Sequence, residues 1–260
     1  MRLTVFTSNQ PRHIYLVDQL AGIVDTVFCV QECNTIFPGR VEDFFKKTPV
    51  MRSYFEKVVE AEKTLFGEPR FSKPNVRLLS LKSGDLNLVS REVLGDALAS
   101  DVYVVFGASF IKGWLIDFLV QKEAINIHMG LSPYYRGSSC NFWAMFDGNP
   151  GYVGATIHRL SKGLDSGGML FHCLPQPRQG ETGFLFTMRA VEVAHKALVA
   201  SIATQALFQA KPIEQNRKQE IRYTRNSDFT DEVANEFLKR SVSIGGTSLD
   251  YPELLNPFFD

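Results

Sequence analysis

The sequence predicts an α/β fold: an open, mostly parallel twisted sheet flanked by helices, with a short C-terminal extension. Three observations carry this expectation. Short β-like runs alternate with helix-length amphipathic stretches through the first half of the chain. One of those runs, Asp101-Val-Tyr-Val-Val-Phe106, is almost continuously apolar, as a strand covered on both faces should be. The chain has 260 residues, of which 45% are hydrophobic and 22% charged, enough for one substantial core.

The elements follow in order. Leu3-Thr-Val-Phe6 reads as a first strand and Asp25 to Val30 as a second, with a helix between them ending at Gly22. Pro38 to Phe66 is charged and aromatic; Phe44, Phe45, Tyr54, Phe55, Val58, Val59 and Phe66 suggest helices with a break near Pro49. Val76 to Leu81 is a short strand, Arg91 to Ala99 a helix, Asp101 to Phe106 the buried strand, Trp114 to Gln121 a helix and Ala124 to His128 a strand. Val153 to Arg159 and Met169 to Leu174 are strands joined by a Gly-rich loop. A long helix from about Thr182 to Ala210 then places Phe184, Met188, Val191, Leu198 and Ile202 near one face. His195 lies on that stripe and reads as a core or rim residue. Residues 1–212 form the expected core. Residues 213–260, polar at first and helical near Val233 to Arg240, form an extension too short for an independent domain.

Formal net charge is zero, so no global field would gather nucleic acid or an anionic membrane. No apolar run reaches membrane-spanning length, and the chain opens directly into a strand, so no membrane insertion is expected. Cys29, Cys33, Cys140 and Cys173 fit neither a disulfide framework nor a zinc knuckle; reduced thiols and a cytoplasmic location are the expectation. His158, His172 and Cys173 have no zinc spacing, and no metal is predicted. The 21 phenylalanines suit a large core and also pockets for flat ligands.

The chemistry-bearing stretch is Ala124 to Leu170. Asn126 and His128 stand two apart at the end of a strand, so their side chains share a face. In open α/β sheets, ligands bind beyond the carboxyl ends of the strands. Asp165 lies in a loop free to fold back over that edge. An amide can donate to an oxyanion on an attacked carbonyl, an imidazole can donate there or manage a proton, and a carboxylate can orient the imidazole or accept a proton through water. No nucleophilic side chain is needed if an amine attacks directly, so the trio suits acyl transfer to nitrogen. Taken singly, the same residues usually describe a turn Asn, a satisfied His and a loop Asp, and spacing by itself does not decide between the readings.

Asn126-Ile-His-Met-Gly-Leu-Ser-Pro-Tyr-Tyr-Arg-Gly137, then Gly154-Ala-Thr-Ile-His158 and Asp165-Ser-Gly167, resembles the formyltransferase family that uses N10-formyltetrahydrofolate. That family's pattern is N-x-H-x-S-L-L-P-x-Y-R-G, G-x-T-x-H and D-x-G, and the match covers roughly residues 100 to 175. The resemblance implies a Rossmann-like formyltransferase core with Asn126, His128 and Asp165 as catalytic residues. Met129-Gly130-Leu131-Ser132 departs from the pattern, as does Lys112, where an apolar residue or Pro is usual.

The resemblance also implies N10-formyltetrahydrofolate as co-substrate, with its pterin against Gly107, Ser109, Phe110, Ile111 and Lys112 on one side and Ser161, Lys162 and Gly163 on the other. From residues alone, 107–110 reads as an ordinary strand-to-helix turn. The loop Thr7 to His13 precedes a helix, a geometry that favours anions, but carries no dinucleotide or P-loop fingerprint. Family likeness makes it face the acceptor, with Ser8, Gln10 and Arg12 on a phosphate or sugar pyrophosphate; a capped helix start with a solvated Arg is the other reading. Tyr134, Tyr135 and Arg136 are expected to line the acceptor pocket, as are Asn141 and Trp143 unless Trp143 is core. The first loop, the Phe-rich insert and the tail around Tyr223 to Phe229 look most like nucleotide-sugar N-formyltransferases. GDP-perosamine N-formyltransferases of O-antigen synthesis are the nearest kind, and a homodimer is implied. Methionyl-tRNA and a purine precursor are the other acceptors weighed. The tRNA enzymes carry a further C-terminal domain and basic surface, which makes them the weaker match.

Overall fold

The structure, a computed structural model, describes residues 1–38, 48–240, 242–244 and 249–260. In chain order the elements are β1 (Arg2–Ser8), α1 (Pro11–Ala21), β2 (Thr26–Cys33), α2 (Pro49–Phe66), β3 (Val76–Lys82), α3 (Arg91–Leu94), β4 (Val102–Val105), α4 (Gly113–Gln121) and β5 (Ile125–His128). Then follow β6 (Tyr135–Gly137), α5 (Cys140–Phe146), β7 (Ala155–Arg159), β8 (Met169–Leu174), β9 (Glu181–Thr182), α6 (Gly183–Ala203) and α7 (Ala206–Gln209). The last elements are β10 (Arg222–Thr224), α8 (Asp231–Arg240), β11 (Ser243–Ile244) and β12 (Phe258–Phe259).

The main sheet has eight strands in the order β12-β8-β7-β5-β4-β1-β2-β3. β5, β4, β1, β2 and β3 run parallel, while β7 is antiparallel to both β5 and β8. This is the expected open, mostly parallel sheet with helices on both faces. From β1 the chain winds outward one way through β2 to β3, and from β4 it winds the other way through β5. The β1/β4 boundary is therefore the topological switch point, where the loops leaving the two strands part and open a crevice.

Alternation along β1 builds the two layers. Leu3 and Val5 pack in the same buried cluster as Leu16, Val17 and Leu20 of α1 and Val191, Ala194 and Leu198 of α6. Phe6 shares the opposite layer with Tyr103, Val105 and the α4 residues Leu115, Ile116 and Leu119. A third cluster joins α2, α5 and α8 through Tyr54, Phe142, Trp143 and Phe237. Phe142 lies edge-on to Phe229 at 4.8 Å, so much of the phenylalanine excess is spent on packing.

Several expectations change. α2 starts at Pro49, the position of the expected break: Thr48 caps it by accepting from the Met51 N–H at 3.2 Å, and a first-turn proline lacks only an N–H the helix would leave free. Phe44 and Phe45, read as helical, lie outside the described residues. Arg91 to Ala99 is one α-turn followed by a 3-10 turn, because Gly95 takes a left-handed φ of 44°. The long helix ends at Ala203; Gln205, at φ 61°, separates it from α7. The 213–260 segment is laced into the rest. β10 pairs with β6, α8 packs on the aromatic cluster, and β12 extends the main sheet beside β8. Among the described residues no helix is long and apolar enough to cross a membrane.

Candidate active site

Asn126 and His128 leave the end of β5 on the same side, as the two-residue period requires. β7 lies antiparallel alongside, with Asn126 opposite His158 and His128 opposite Thr156. The Gly-rich turn between β7 and β8 carries Asp165 back over this edge. Asp165 holds a left-handed φ of 44°, a conformation aspartate tolerates better than most residues. Gly167 makes the return possible: a Cβ there would stand 1.7 Å from the Arg159 carbonyl oxygen.

The structure thus brings the three predicted residues together. His128 Nδ1 lies 3.3 Å from Asp165 Oδ2, and Asn126 Nδ2 donates to Asp165 Oδ1 at 3.4 Å. On the other edge of its ring, His128 Nε2 faces the Tyr135 carbonyl at 3.2 Å and the Cys140 sulfur at 3.6 Å. Both ring nitrogens therefore face acceptors, the arrangement of a doubly protonated imidazolium. Burial alone would pull the His128 pKa down. The Asp165 carboxylate and the Cys140 sulfur outweigh it and raise the value well above the usual imidazole range. Burial likewise pushes the Asp165 carboxyl up, but the charge and hydrogen bond of His128 win and hold it below its ordinary value.

His158 joins them and was missed as a site residue in the sequence, although it closes the G-x-T-x-H motif. The signal was the motif itself; only the strand pairing shows what its ends hold. Burial drives His158 down to about 4 against the pull of the Arg159 carbonyl, so the ring is neutral. Nδ1 donates to that carbonyl at 2.8 Å, leaving Nε2 to accept from Asn126 Nδ2 at 3.0 Å. Both amide hydrogens of Asn126 therefore point inward, to His158 and Asp165, and its carbonyl faces away. That differs from the expectation of an amide donating outward to an oxyanion. The motif's threonine acts elsewhere. Thr156 Oγ1 donates to the Gly130 carbonyl at 2.7 Å and accepts from the Ser132 N–H at 2.8 Å, fixing the loop after β5.

On the expected folate side, two loops flank the end of β5. Glu32 takes the Gly84 N–H at 2.7 Å and the Ser109 N–H at 2.6 Å, and Asn87 bridges the Phe110 carbonyl and the Lys112 N–H. Those backbone groups are committed to the protein. Ile111 is 5% exposed and packs into the layer under α4, so it supports the loop rather than forming a pocket wall. Phe110 and Leu164, each about half exposed, present apolar side chains from the two loops. In the second loop Ser161 Oγ bonds the Gly163 carbonyl and Ser166, and Lys162 pairs with Asp117 at 2.6 Å.

The acceptor side is corrected in part. Tyr134 and Tyr135 are buried. Their hydroxyls donate to the Glu253 carbonyl at 2.9 Å and to Asp147 at 3.1 Å, so both are packing residues rather than pocket lining. Trp143 is core, and Asn141 accepts from the Gly154 N–H. Arg136 is buried too: it pairs with Glu220 at 2.8 Å and donates to the Leu164 carbonyl at 3.1 Å, bracing the Asp165 loop from beneath. Ser8, Gln10 and Arg12 do meet at an open site. With Gly107 and Phe55 they line a cavity of about 590 Å³ at the β1/β4 switch point. Arg12 is held there by Glu62, 2.8 Å away. Among the described residues, no three His, Cys, Asp or Glu side chains cluster as metal ligands.

Comparison with known proteins places this geometry. Residues 87–202, from just before α3 into α6, match the family model for formyl transferase. The methionyl-tRNA formyltransferase of Anaeromyxobacter sp. (strain K) is 30% identical over 123 residues, 47% of this chain. The matched stretch spans only 39% of that relative's length. A 4-N formyltransferase from Francisella tularensis superposes with a TM-score of 0.56 at 15% identity, covering 98% of both chains. The N-formyltransferase from Helicobacter canadensis, solved with folinic acid and dTDP-3-aminofucose, superposes with a TM-score of 0.53 at 12% identity over 91% of this chain and 79% of its own. These likenesses show a shared fold.

Proposed function

We propose that this chain, built around a formyl transferase domain, moves the formyl group of N10-formyltetrahydrofolate onto the amino group of a nucleotide-linked amino sugar. The observation that carries the reading is the Asn126–His128–Asp165 cluster, closed by neutral His158 and set one strand from the switch-point crevice. N10-formyltetrahydrofolate supplies an activated acyl carbon; the protein's part is to hold charge and orient the incoming amine. The buried His128 imidazolium stabilises the negative charge that develops on the formyl oxygen. Its contact to Asp165 is long for a charge-assisted bond, which leaves Nδ1–H able to be shared with that oxygen. The outward Asn126 carbonyl accepts an N–H of the attacking amine and aims its lone pair. Asp165 keeps the imidazole charged and receives the proton the amine sheds; that proton passes to N10 of the folate as the bond between N10 and the formyl carbon breaks, which releases tetrahydrofolate. Gly107 to Lys112 and Ser161 to Gly163 take the folate between them, and Ser8, Gln10 and Arg12 take the acceptor.

A sugar acceptor is supported by the Helicobacter canadensis neighbour, whose complex contains dTDP-3-aminofucose. A neighbour from Anoxybacillus kamchatkensis is described in complex with UDP-4,6-dideoxy-4-formamido-L-AltNAc and tetrahydrofolate. The test is to supply N10-formyltetrahydrofolate with GDP-, dTDP- or UDP-linked amino-dideoxyhexoses, GDP-perosamine among them, and follow tetrahydrofolate release. A second reading, formylation of methionyl-tRNA, is favoured by the names of the sequence relatives. Turnover with charged initiator tRNA and with none of the sugars would replace the first reading by the second. A homodimer accompanies the proposal and is read directly from light scattering.

A further inference from the structure

We propose that His13 is a ligand-contact residue in the switch-point crevice, where its imidazole receives a hydroxyl group of the acceptor's sugar. The inference rests on the acceptor class proposed above. His13 sits in the first turn of α1 and is 3% exposed. Among the described residues its Nδ1 is buried without a hydrogen-bond partner. Buried polar atoms are almost always paired, so such a group asks for an explanation. The ring lines the same cavity as Gln10, Arg12 and Gly107.

Gly107 shapes the approach. It follows β4 with a left-handed φ of 71°, and a Cβ there would stand 2.4 Å from His13 Nε2. The missing side chain lets the imidazole reach the turn that leaves β4 and present its edge at the crevice. Position matters as well. β4 and β5 pair in parallel with Val105 beside Asn126, so the turn at Gly107 leaves the sheet on the strand next to the one that carries His128.

Chemistry selects the partner. Burial and the adjacent Arg12 cation hold His13 well below the usual imidazole pKa, so it is neutral, with one N–H and one lone pair. A hydroxyl can accept from the N–H or donate to the lone pair, whichever nitrogen meets it, whereas an ionised phosphate oxygen can only accept. His195 provides the contrast. It too is buried with both nitrogens unpartnered, but it packs against the rings of Tyr15, Phe66 and Phe106 and does not line the cavity.

The experiment compares wild type, His13→Ala, His13→Gln and His195→Leu. It measures acceptor KM and kcat with the amino-sugar nucleotide that wild type uses, and 5-formyltetrahydrofolate affinity by fluorescence. His13→Ala is expected to raise acceptor KM about tenfold, the effect of one lost hydrogen bond, with folate affinity within about twofold. His13→Gln, which restores an amide, should recover part of it, and His195→Leu should leave KM unchanged. An unchanged KM in His13→Ala, an equal rise in His195→Leu, or a loss of folate affinity in place of acceptor affinity overturns the assignment while leaving the proposed function standing. If wild type formylates no amino-sugar nucleotide, the acceptor class fails and this contact with it.

Discussion

Replacing Asp165 by Asn removes one charge and little else. Asparagine has the same shape and tolerates the left-handed backbone that residue 165 adopts, and its carbonyl can still accept from Asn126. What it cannot do is hold His128 charged. At the observed 3.3 Å, and with an effective dielectric near 20, the gross attraction between imidazolium and carboxylate is about 5 kcal/mol. That attraction offsets the cost of burying His128, whose side chain is 5% exposed. Without it the ring discharges, so the variant loses about 1–3 kcal/mol rather than the larger penalty of a stranded buried cation. The melting temperature should fall by roughly 2–4 °C for each kcal/mol. Formyl transfer should fall about 10²–10³-fold, the usual effect of removing a preorganised oxyanion partner.

The pH dependence has a definite sign. His128 is raised on folding, so its contribution is fully present below about pH 6.5 and is lost as pH rises through the folded value. Asp165 is lowered, so its contribution is fully present above about pH 4 and is lost as pH falls through its folded value. The stability gap between wild type and Asp165→Asn should therefore be widest between about pH 4 and 6.5 and narrow on both sides. Single-turnover kinetics give the rate, calorimetry the stability, and ¹⁵N chemical shifts the His128 protonation state. An Asp165→Asn protein whose His128 is still protonated at pH 7, or whose rate stays within about threefold of wild type, would refute the charge argument.

The remaining predictions concern the supports of this pair. Arg136→Ala removes the brace under Leu164 and leaves Glu220 unpaired, so kcat should drop about 10- to 100-fold with folate affinity little changed; Arg136→Lys, lacking the planar fork, should not restore it. Gly167→Ala drives a methyl into the Arg159 carbonyl and should cost about 1–3 kcal/mol or more, read as a lowered melting temperature together with lost activity. Cys140→Ala deletes one of the two acceptors at His128 Nε2. The His128 pKa should fall, and the alkaline limb of the pH–rate profile should move to lower pH; a limb that does not move removes Cys140 from the charge balance.

Most of the sheet was legible in the sequence because its strands are buried. The apolar runs around Val5, Val27 and Val104 carry the fold regardless of what surrounds them, and the period of two put Asn126 and His128 on one face. Short elements were not legible. β6, β10 and β12 have three residues or fewer, too few to show a period, and exist only because distant segments pair. The break after Ala203 lies in a stretch whose alanines continue the apolar pattern on both sides, so periodicity runs straight through it. In the site, the two residues on β5 could be placed from spacing, but the position of Asp165 depends on how tightly the Gly167 turn returns. His158 depends on which strand pairs with β5. Tyr134 and Tyr135 read as pocket residues because an aromatic ring beside a catalytic strand carries no mark of which way it faces.

Time enters through the ties that hold the cluster. Arg136 and Glu220 are 84 residues apart in the chain, and the Leu255 N–H reaches His172 across 83. His172 in turn passes that restraint to the Ser132 carbonyl at 2.9 Å, on the loop that follows His128. Contacts of such separation form late, after the intervening chain has been ordered. A folding molecule therefore acquires its sheet before its reactive centre. Part of the bracing around His128 and the Asp165 loop comes from segments well downstream, through Glu220 on Arg136 and Leu255 on His172, so recovery of activity during refolding should trail recovery of helical signal.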